Sequence, residues 1–163
     1  MKISAGILVY KHVGESVEVL LAHPAGPIWG HKDFWTIPKG ELDEDEDHIS
    51  AAKREFLEEV GVPVPAGELI DLATSKGSSG KINFIWAVEG EIDVTKFSCN
   101  TFTIEWPPKS GIIEEHLEND RAEWFPLATA QAKIFKNQAI FIDRLANHLG
   151  VVTAQVPEQK TLL

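Results

Sequence analysis

The segment Asp47–Gly61 constrains this chain more than any other stretch. Asp47 is a suitable N-cap, the residues that follow favour a helix, and Gly61 followed by Pro63 is a stop signal. The expected helix is therefore 47–60. At about 100° per residue, Ile49, Ala52, Phe56 and Val60 share an arc of roughly 80° and form a stripe to bury. Glu55, Glu58 and Glu59 share a different arc of roughly 100°. A chain with this helix must place its apolar stripe against a core while crowding three carboxylates on another face. Like charges at i, i+3 and i+4 destabilise a helix modestly. A solvated acidic face is the ordinary reading of such a pattern, whereas a hard divalent cation would remove the penalty altogether.

Elements on either side of the helix indicate an α/β (α+β) domain. Residues 3–10 and 17–23 read as strands joined by a turn at Gly14, and 69–75 and 81–88 as strands around the turn 77–80. Residues 24–40, rich in proline and glycine, read as a long loop with an extended piece at Phe34–Ile37. Residues 101–106 look extended, 107–120 read as a polar, acidic loop, and Ala122–Phe125 as a last short strand. Helical spacing returns at 128–134 and 138–149, where Ile140, Phe141, Leu145 and Leu149 are expected to line one face. The expected domain is 1–149, with 150–163 as a tail that carries little pattern and is expected to be mobile.

Lysine and arginine number 15 against 25 acidic residues, a formal charge of −10. This argues against nonspecific nucleic-acid binding, which needs a basic surface. It is compatible with a small anionic ligand held through a cation. The lone Cys99 rules out an internal disulfide framework. No stretch approaches the roughly 20 apolar residues of a membrane span, and no signal peptide is evident. The expectation is a cytoplasmic protein with no membrane partner. Oligomeric state is not encoded legibly.

The segment from Gly40 to Val62 resembles the Nudix box, G-x5-E-x7-R-E-U-x-E-E-x-G-U with U apolar. Gly40, Glu46, Arg54-Glu55, Phe56, Glu58-Glu59, Gly61 and Val62 fill its specified positions without insertion. The resemblance implies a Nudix-type α/β/α sandwich with a mixed β-sheet between helices, and a pyrophosphohydrolase dependent on Mg2+, with Mn2+ as an alternative. It implies that Glu55, Glu58, Glu59 and the carbonyl of Gly40 bind metal, that Glu46 and Arg54 tie the loop to the helix, and that Gly61 ends it. Magnesium at such a site neutralises phosphate charge, orients the phosphoryl group and activates water. Family enzymes often recruit another acid from a later loop shortly before a Trp-containing strand. Among Glu114, Glu115, Glu118 and Asp120 this favours Glu118, with Glu58 or Glu118 taking the proton.

The lead-in Phe34-Trp35-Thr36-Ile37-Pro38-Lys39-Gly40 is similar to that of Nudix enzymes acting on dinucleoside polyphosphates or inositol pyrophosphates. It marks Lys39 and Trp35 as substrate-binding, with His31 and Lys32 as weaker candidates. Trp29, Trp106, Phe84 or Trp86 are candidates to stack on a base, although core packing is the commoner role of an aromatic. The implied substrate is a small phosphorylated molecule, with a dinucleoside polyphosphate favoured over a nucleoside triphosphate or ADP-ribose. The alternative is a module that holds a nucleotide without turnover.

Overall fold

The computed structural model describes residues 2–77 and 79–153. Ten of the expected tail residues, 154–163, lie outside the described residues. Strands β1 (Ile3–Val13) and β2 (Ser16–Pro24) form a hairpin. They are followed by the one-turn helix α1 (Gly26–Trp29), the short strand β3 (Lys39–Glu41) and helix α2 (His48–Val60). Strands β4 (Ile70–Lys76) and β5 (Ile82–Glu89) come next. A second hairpin, β6 (Thr101–Glu105) and β7 (Ile113–Leu117), leads into β8 (Asn119–Pro126). Helices α3 (Leu127–Lys133) and α4 (Ala139–Leu149) complete the domain.

The main sheet runs β4-β5-β1-β2-β8, with β3 also paired to β1. It is mixed, because β1 and β5 are parallel while the other pairs are antiparallel. Side chains of β1 alternate between two cores. Ala5, Ile7 and Val9 meet Ala51, Ala52, Phe56 and Val60 of α2. Leu8 and Tyr10 belong to the core that holds Phe141, Ile142, Leu145 and Ala146 of α4. A strand buried on both faces reads as a nearly continuous apolar run, and β1 does.

The split between β1 and β2 positions the site. The two strands pair only near their turn, Tyr10 to Val13 against Ser16 to Val19. Beyond it the residues before α2 fill the wedge. Thr36 bridges Ala22 of β2, while Lys39, Gly40 and Glu41 pair with Gly6, Ala5 and Ser4 of β1. Gly6 is required there, since a Cβ would lie 2.5 Å from the carbonyl oxygen of Pro38 and the Cβ of Lys39. Gln138 fastens the wedge from the opposite layer. Its Oε1 accepts from the Ile37 amide at 2.9 Å, and its Nε2 donates to Thr36 Oγ1 at 3.0 Å.

Several expectations change. Residues 107–120 are not a loop, because Ile113–Leu117 is a strand paired along its length with β6. This two-stranded sheet stands off the main one, and its alternate residues are solvated, so the acidic composition hides the strand. The strand expected at 122–125 starts three residues earlier, at Asn119. In α2 the buried stripe contains Ala51, while Ile49 is exposed. In α4 Ile140 is exposed, and Ile142 and Ala146 are buried in its place. Residues 24–40 contain α1 and a bridge to β2 rather than continuous loop.

Candidate active site

Helix α2 begins with the Asp47 carboxylate accepting from the Ser50 amide at 3.0 Å. It ends at Gly61, whose φ of 87° and amide bond to the Leu57 carbonyl close the last turn. These caps fix the rotation of the helix. Arg54 joins the preceding loop to it: Nε and Nη2 reach the two oxygens of Glu46 at 2.8 and 2.9 Å. Nη2 also donates to the Glu41 carbonyl at 3.1 Å, and Nη1 reaches Glu55 at 2.9 Å and Glu58 at 3.2 Å. The bidentate bond to Glu46 and the carboxylates of Glu55 and Glu58 hold the guanidinium pKa far above its ordinary value.

Glu55 lies against Gly40. A Cβ at residue 40 would stand 2.1 Å from its Cδ and Oε1. The absent side chain is therefore what lets β3 approach the carboxylate. Glu59, 8% exposed, turns toward the sheet, where Asn119 Nδ2 donates to its Oε1 at 3.1 Å. Burial pushes the Glu59 carboxyl up to about 8, with Glu118 and Glu55 adding to the effect and Asn119 opposing it. Glu55 is also raised by burial, against the pull of Arg54.

Glu118 sits between β7 and β8, and a relay of backbone bonds holds it. The Asn100 amide donates to the Glu58 carbonyl at 3.1 Å, the Glu118 amide to the Asn100 carbonyl at 3.0 Å, and the Ala25 amide to the Glu118 carbonyl at 3.0 Å. The hairpin is thus tied to the carboxylate helix at one side and to the start of α1 at the other. Burial and the charge of Glu58 raise the Glu118 pKa. The other acidic candidates point elsewhere. Glu114 pairs with His116 at 2.9 Å, Glu115 accepts from Thr101 Oγ1 at 2.9 Å, and Asp120 pairs with His23 at 2.9 Å.

Lys39 projects from β3 beside Glu59 and Glu118 into a cleft of about 600 Å3. Burial and the neighbouring Lys81 lower its pKa, while Glu59, Glu41 and Glu55 oppose them. Lys81 is paired with Glu41 at 3.2 Å; Lys39 makes no ion pair of that kind among the described residues. A half-buried ammonium facing a cleft is suited to an arriving anion.

Trp35 departs from the expectation. It is 2% exposed, packs against Phe125 and His23, and donates from Nε1 to Asp33, so its ring belongs to the core. Trp29 lines the cleft instead, with Phe135. Phe84 stacks on His48 and Trp86 at the α2 side of the sheet. Sequence reasoning missed Asn119, for which no motif exists. It also missed Phe135, which falls between the two expected helices, and Gln138, at the start of the second.

Glu55, Glu58, Glu59, Glu118 and the Gly40 carbonyl are hard oxygen donors, the set that magnesium and manganese prefer. Among the described residues no three acidic, histidine or cysteine side chains already converge as a cation cage. Arg54 holds Glu55 and Glu58, and Glu59 leans on Asn119. The donor set nonetheless fits: the β3 backbone at Gly40 lies so close to Glu55 that a Cβ would stand 2.1 Å from its carboxylate, and Glu59 and Glu118 line one cleft.

The sequence matches the NUDIX domain family over residues 1–145, and the chain belongs to the Nudix family. It is a hydrolase of the phosphoric anhydride type. Comparison with curated proteins finds no match. Among solved structures, a Caenorhabditis elegans Ap4A hydrolase binary complex superposes with a TM-score of 0.63 at 18% identity, covering 90% of this chain and 98% of that one. The Nudix domain of Shewanella oneidensis NrtR, complexed with ADP-ribose, gives 0.62 at 16% identity over 90% and 87%. A Nudix hydrolase from Nitrosomonas europaea gives 0.57 at 19% identity over 94% and 76%. At these identities the likeness is one of fold.

Proposed function

We propose that this chain, through a domain of residues 1–149, is a magnesium-dependent pyrophosphohydrolase of nucleoside diphosphate derivatives, with dinucleoside polyphosphates the favoured class. One observation carries the reading. Carboxylates from α2 and from the β7–β8 turn share a cleft with a half-buried lysine that makes no ion pair among the described residues. The cleft's volume falls in the range of small-ligand sites, roughly 300–1,000 Å3. The Ap4A and ADP-ribose named for two of the structural neighbours add support for a nucleotide ligand.

Glu55, Glu58, Glu59 and the Gly40 carbonyl would hold the metal. When bound, magnesium supplies charge neutralisation and orientation for the diphosphate. Lys39 binds a phosphate oxygen and stabilises charge on the leaving phosphate. Glu118 or Glu58 accepts the proton of the attacking water; Glu118, lying outside the Arg54 network, is the freer to do so. Arg54 orients Glu55 and Glu58, and Asn119 orients Glu59. Attack is in line at one phosphorus.

The test is turnover over diadenosine tetraphosphate, ADP-ribose, nucleoside triphosphates and an inositol pyrophosphate, with and without Mg2+. The expected outcome is magnesium-dependent cleavage of the first, lost in Glu58→Gln. Nucleotide binding with no hydrolysis under any divalent cation would instead favour a module that binds without turnover.

A further inference from the structure

The β6–β7 hairpin has open edges that the rest of the fold does not close. Among the described residues it pairs with no strand of the main sheet. Two bonds flank its ladder, the Trp106 amide to the Ile112 carbonyl at 2.9 Å and the Glu118 amide to the Asn100 carbonyl at 3.0 Å. They set the phase of the pairing. Bonded and non-bonded pairs alternate in an antiparallel ladder, so Phe102 and Ile104 direct their amides and carbonyls at β7. Those of Thr101, Thr103 and Glu105 point the other way, and no backbone bond meets them among the described residues. Along β7 the same phase turns Ile113, Glu115 and Leu117 outward.

The edge of β6 is unprotected. Proteins blunt exposed edges with lysine, proline or a bulge. Residues 101–105 contain no lysine or proline, favour the extended state, and pair with β7 in unbroken register. Phe102 and Ile104 are only half-buried on one face of the strand, while Thr101, Thr103 and Glu105 are exposed on the other.

The strand is also complementary to itself. A second β6, antiparallel and turned about Thr103, sets Thr103 against Thr103, Phe102 against Ile104 and Thr101 against Glu105. The outward residues fall in bonded pairs, so each open amide and carbonyl of the strand finds a partner. Phe102 and Ile104 meet in the non-bonded positions, where side chains approach most closely. No charge faces a like charge. The edge of β7 fails the same comparison: turned about Glu115, it sets Glu115 directly against Glu115 in a chain of formal charge −10.

We propose that β6 is a homodimer seam, joined antiparallel to β6 of a second copy about Thr103. The two hairpins become one continuous sheet with β7 at each outer edge. An isolated two-stranded hairpin is marginal in water and gains from further strands and an apolar face, which Phe102 and Ile104 of both copies supply here. A two-fold contact of this kind closes on itself, because each β6 edge is used up by its counterpart.

The experiment is sedimentation of the full chain over a range of concentrations, for wild type, Thr103→Glu, Thr103→Pro and Glu115→Pro, with circular dichroism and melting to check each fold. Thr103 is exposed and its amide points away from β7, so both substitutions there leave the hairpin's own ladder intact. Wild type should move from monomer to twice that mass as concentration rises. Thr103→Glu opposes two carboxylates at the axis and should weaken association by at least about tenfold. Thr103→Pro removes the axial amide and should remain monomeric, while Glu115→Pro should dimerise as wild type does. Wild type that stays monomeric throughout overturns the seam, as does a folded Thr103→Glu that dimerises unchanged. Loss of the dimer in Glu115→Pro with its retention in the Thr103 variants would move the contact to β7 and overturn the assignment to β6.

Discussion

Gly40→Ala separates the site from the fold. Gly40 lies in β3 without a left-handed φ, so alanine costs the backbone nothing there. The new Cβ would stand 2.1 Å from Cδ and Oε1 of Glu55 and 2.5 Å from Oε2. Carbon contacts settle at about 3.5–4.0 Å, so the carboxylate must withdraw by more than about 1 Å. It is the end of a flexible side chain and can do so. The protein loses the 2.9 Å bond from Arg54 Nη1 to Glu55, while Arg54 keeps Glu46 and the Glu41 carbonyl. That bond is partly exposed, and its loss costs about 1 kcal/mol or less. The expected drop in Tm is about 2–4 °C. The site loses more, because Glu55 leaves the position from which it would bind metal. Turnover should fall at least about 10–100-fold, with half-saturation shifted to higher Mg2+, as when a ligand's support is removed. Melting curves and magnesium titrations of initial rate read the two effects separately. Wild-type turnover with unchanged magnesium dependence would refute the placement of Glu55 in the site. Gly61→Ala is the contrasting control: its Cβ would meet the Ser98 amide and carbonyl at 2.7 Å at a φ of 87°, so it should lose stability by well over 1 kcal/mol.

Further outcomes follow from the same geometry. Lys39→Gln should raise KM about tenfold or more for a polyphosphate substrate, and should raise Tm slightly, because burial and Lys81 both disfavour the ammonium; unchanged kinetics would remove Lys39 from the site. Glu118→Gln should cut kcat by a factor on the order of 10²–10⁴ with KM nearly constant, the range of a lost general base; full activity would hand the proton to Glu58. Without divalent cations, stability should fall as pH rises. The Glu59 carboxyl is lifted from 4.5 to about 8, so the folded state binds a proton that the unfolded state has released. The stabilisation is complete below about 4.5 and lost by about 8, at up to about 1.4 kcal/mol per pH unit. Denaturant melts should show a steeper slope in wild type than in Glu59→Gln, where Glu55 and Glu118 leave a remainder; identical slopes would refute the burial argument.

The carboxylate helix was legible because cap, apolar stripe and acids obey one period, and the box spacing leaves no freedom. The sandwich followed from the order of elements. Legibility failed where contacts distant in sequence decide. Trp35 and Trp29 stand in one Pro- and Gly-rich stretch. Only the wedge between β1 and β2, pinned by Gln138, determines that Trp35 enters the core while Trp29 faces the cleft. The second arm of the hairpin at 101–117 was hidden for a related reason, although 101–106 read correctly as extended. A two-stranded sheet solvated on alternate residues has no buried face to impose a hydrophobic pattern, so Ile113–Leu117 carries its glutamates without penalty.

That hidden hairpin changes how the site is held together. Read as a loop, residues 107–120 would offer Glu118 by chance of proximity. As the arm of a hairpin, Glu118 is placed by backbone bonds to Asn100, and through it to the Glu58 carbonyl near the end of α2. The same turn carries Asn119, which reaches Glu59, and the Glu118 carbonyl holds Ala25 at the start of α1. One turn of chain therefore fixes a candidate base, orients a carboxylate that would bind metal and anchors the turn that brings Trp29 to the cleft. Loosening the hairpin should disturb all three together. Asn100→Pro tests this, since it removes the amide that donates to Glu58 while leaving every site side chain in place. Proline also restricts Cys99, so melting is measured alongside. If the hairpin is the common support, the variant loses turnover and adenosine monophosphate affinity in parallel, with α2 helicity retained by circular dichroism. Loss of turnover with full nucleotide affinity in a folded variant would show that the Trp29 side of the cleft stands without the hairpin, and would confine the hairpin's role to the carboxylates.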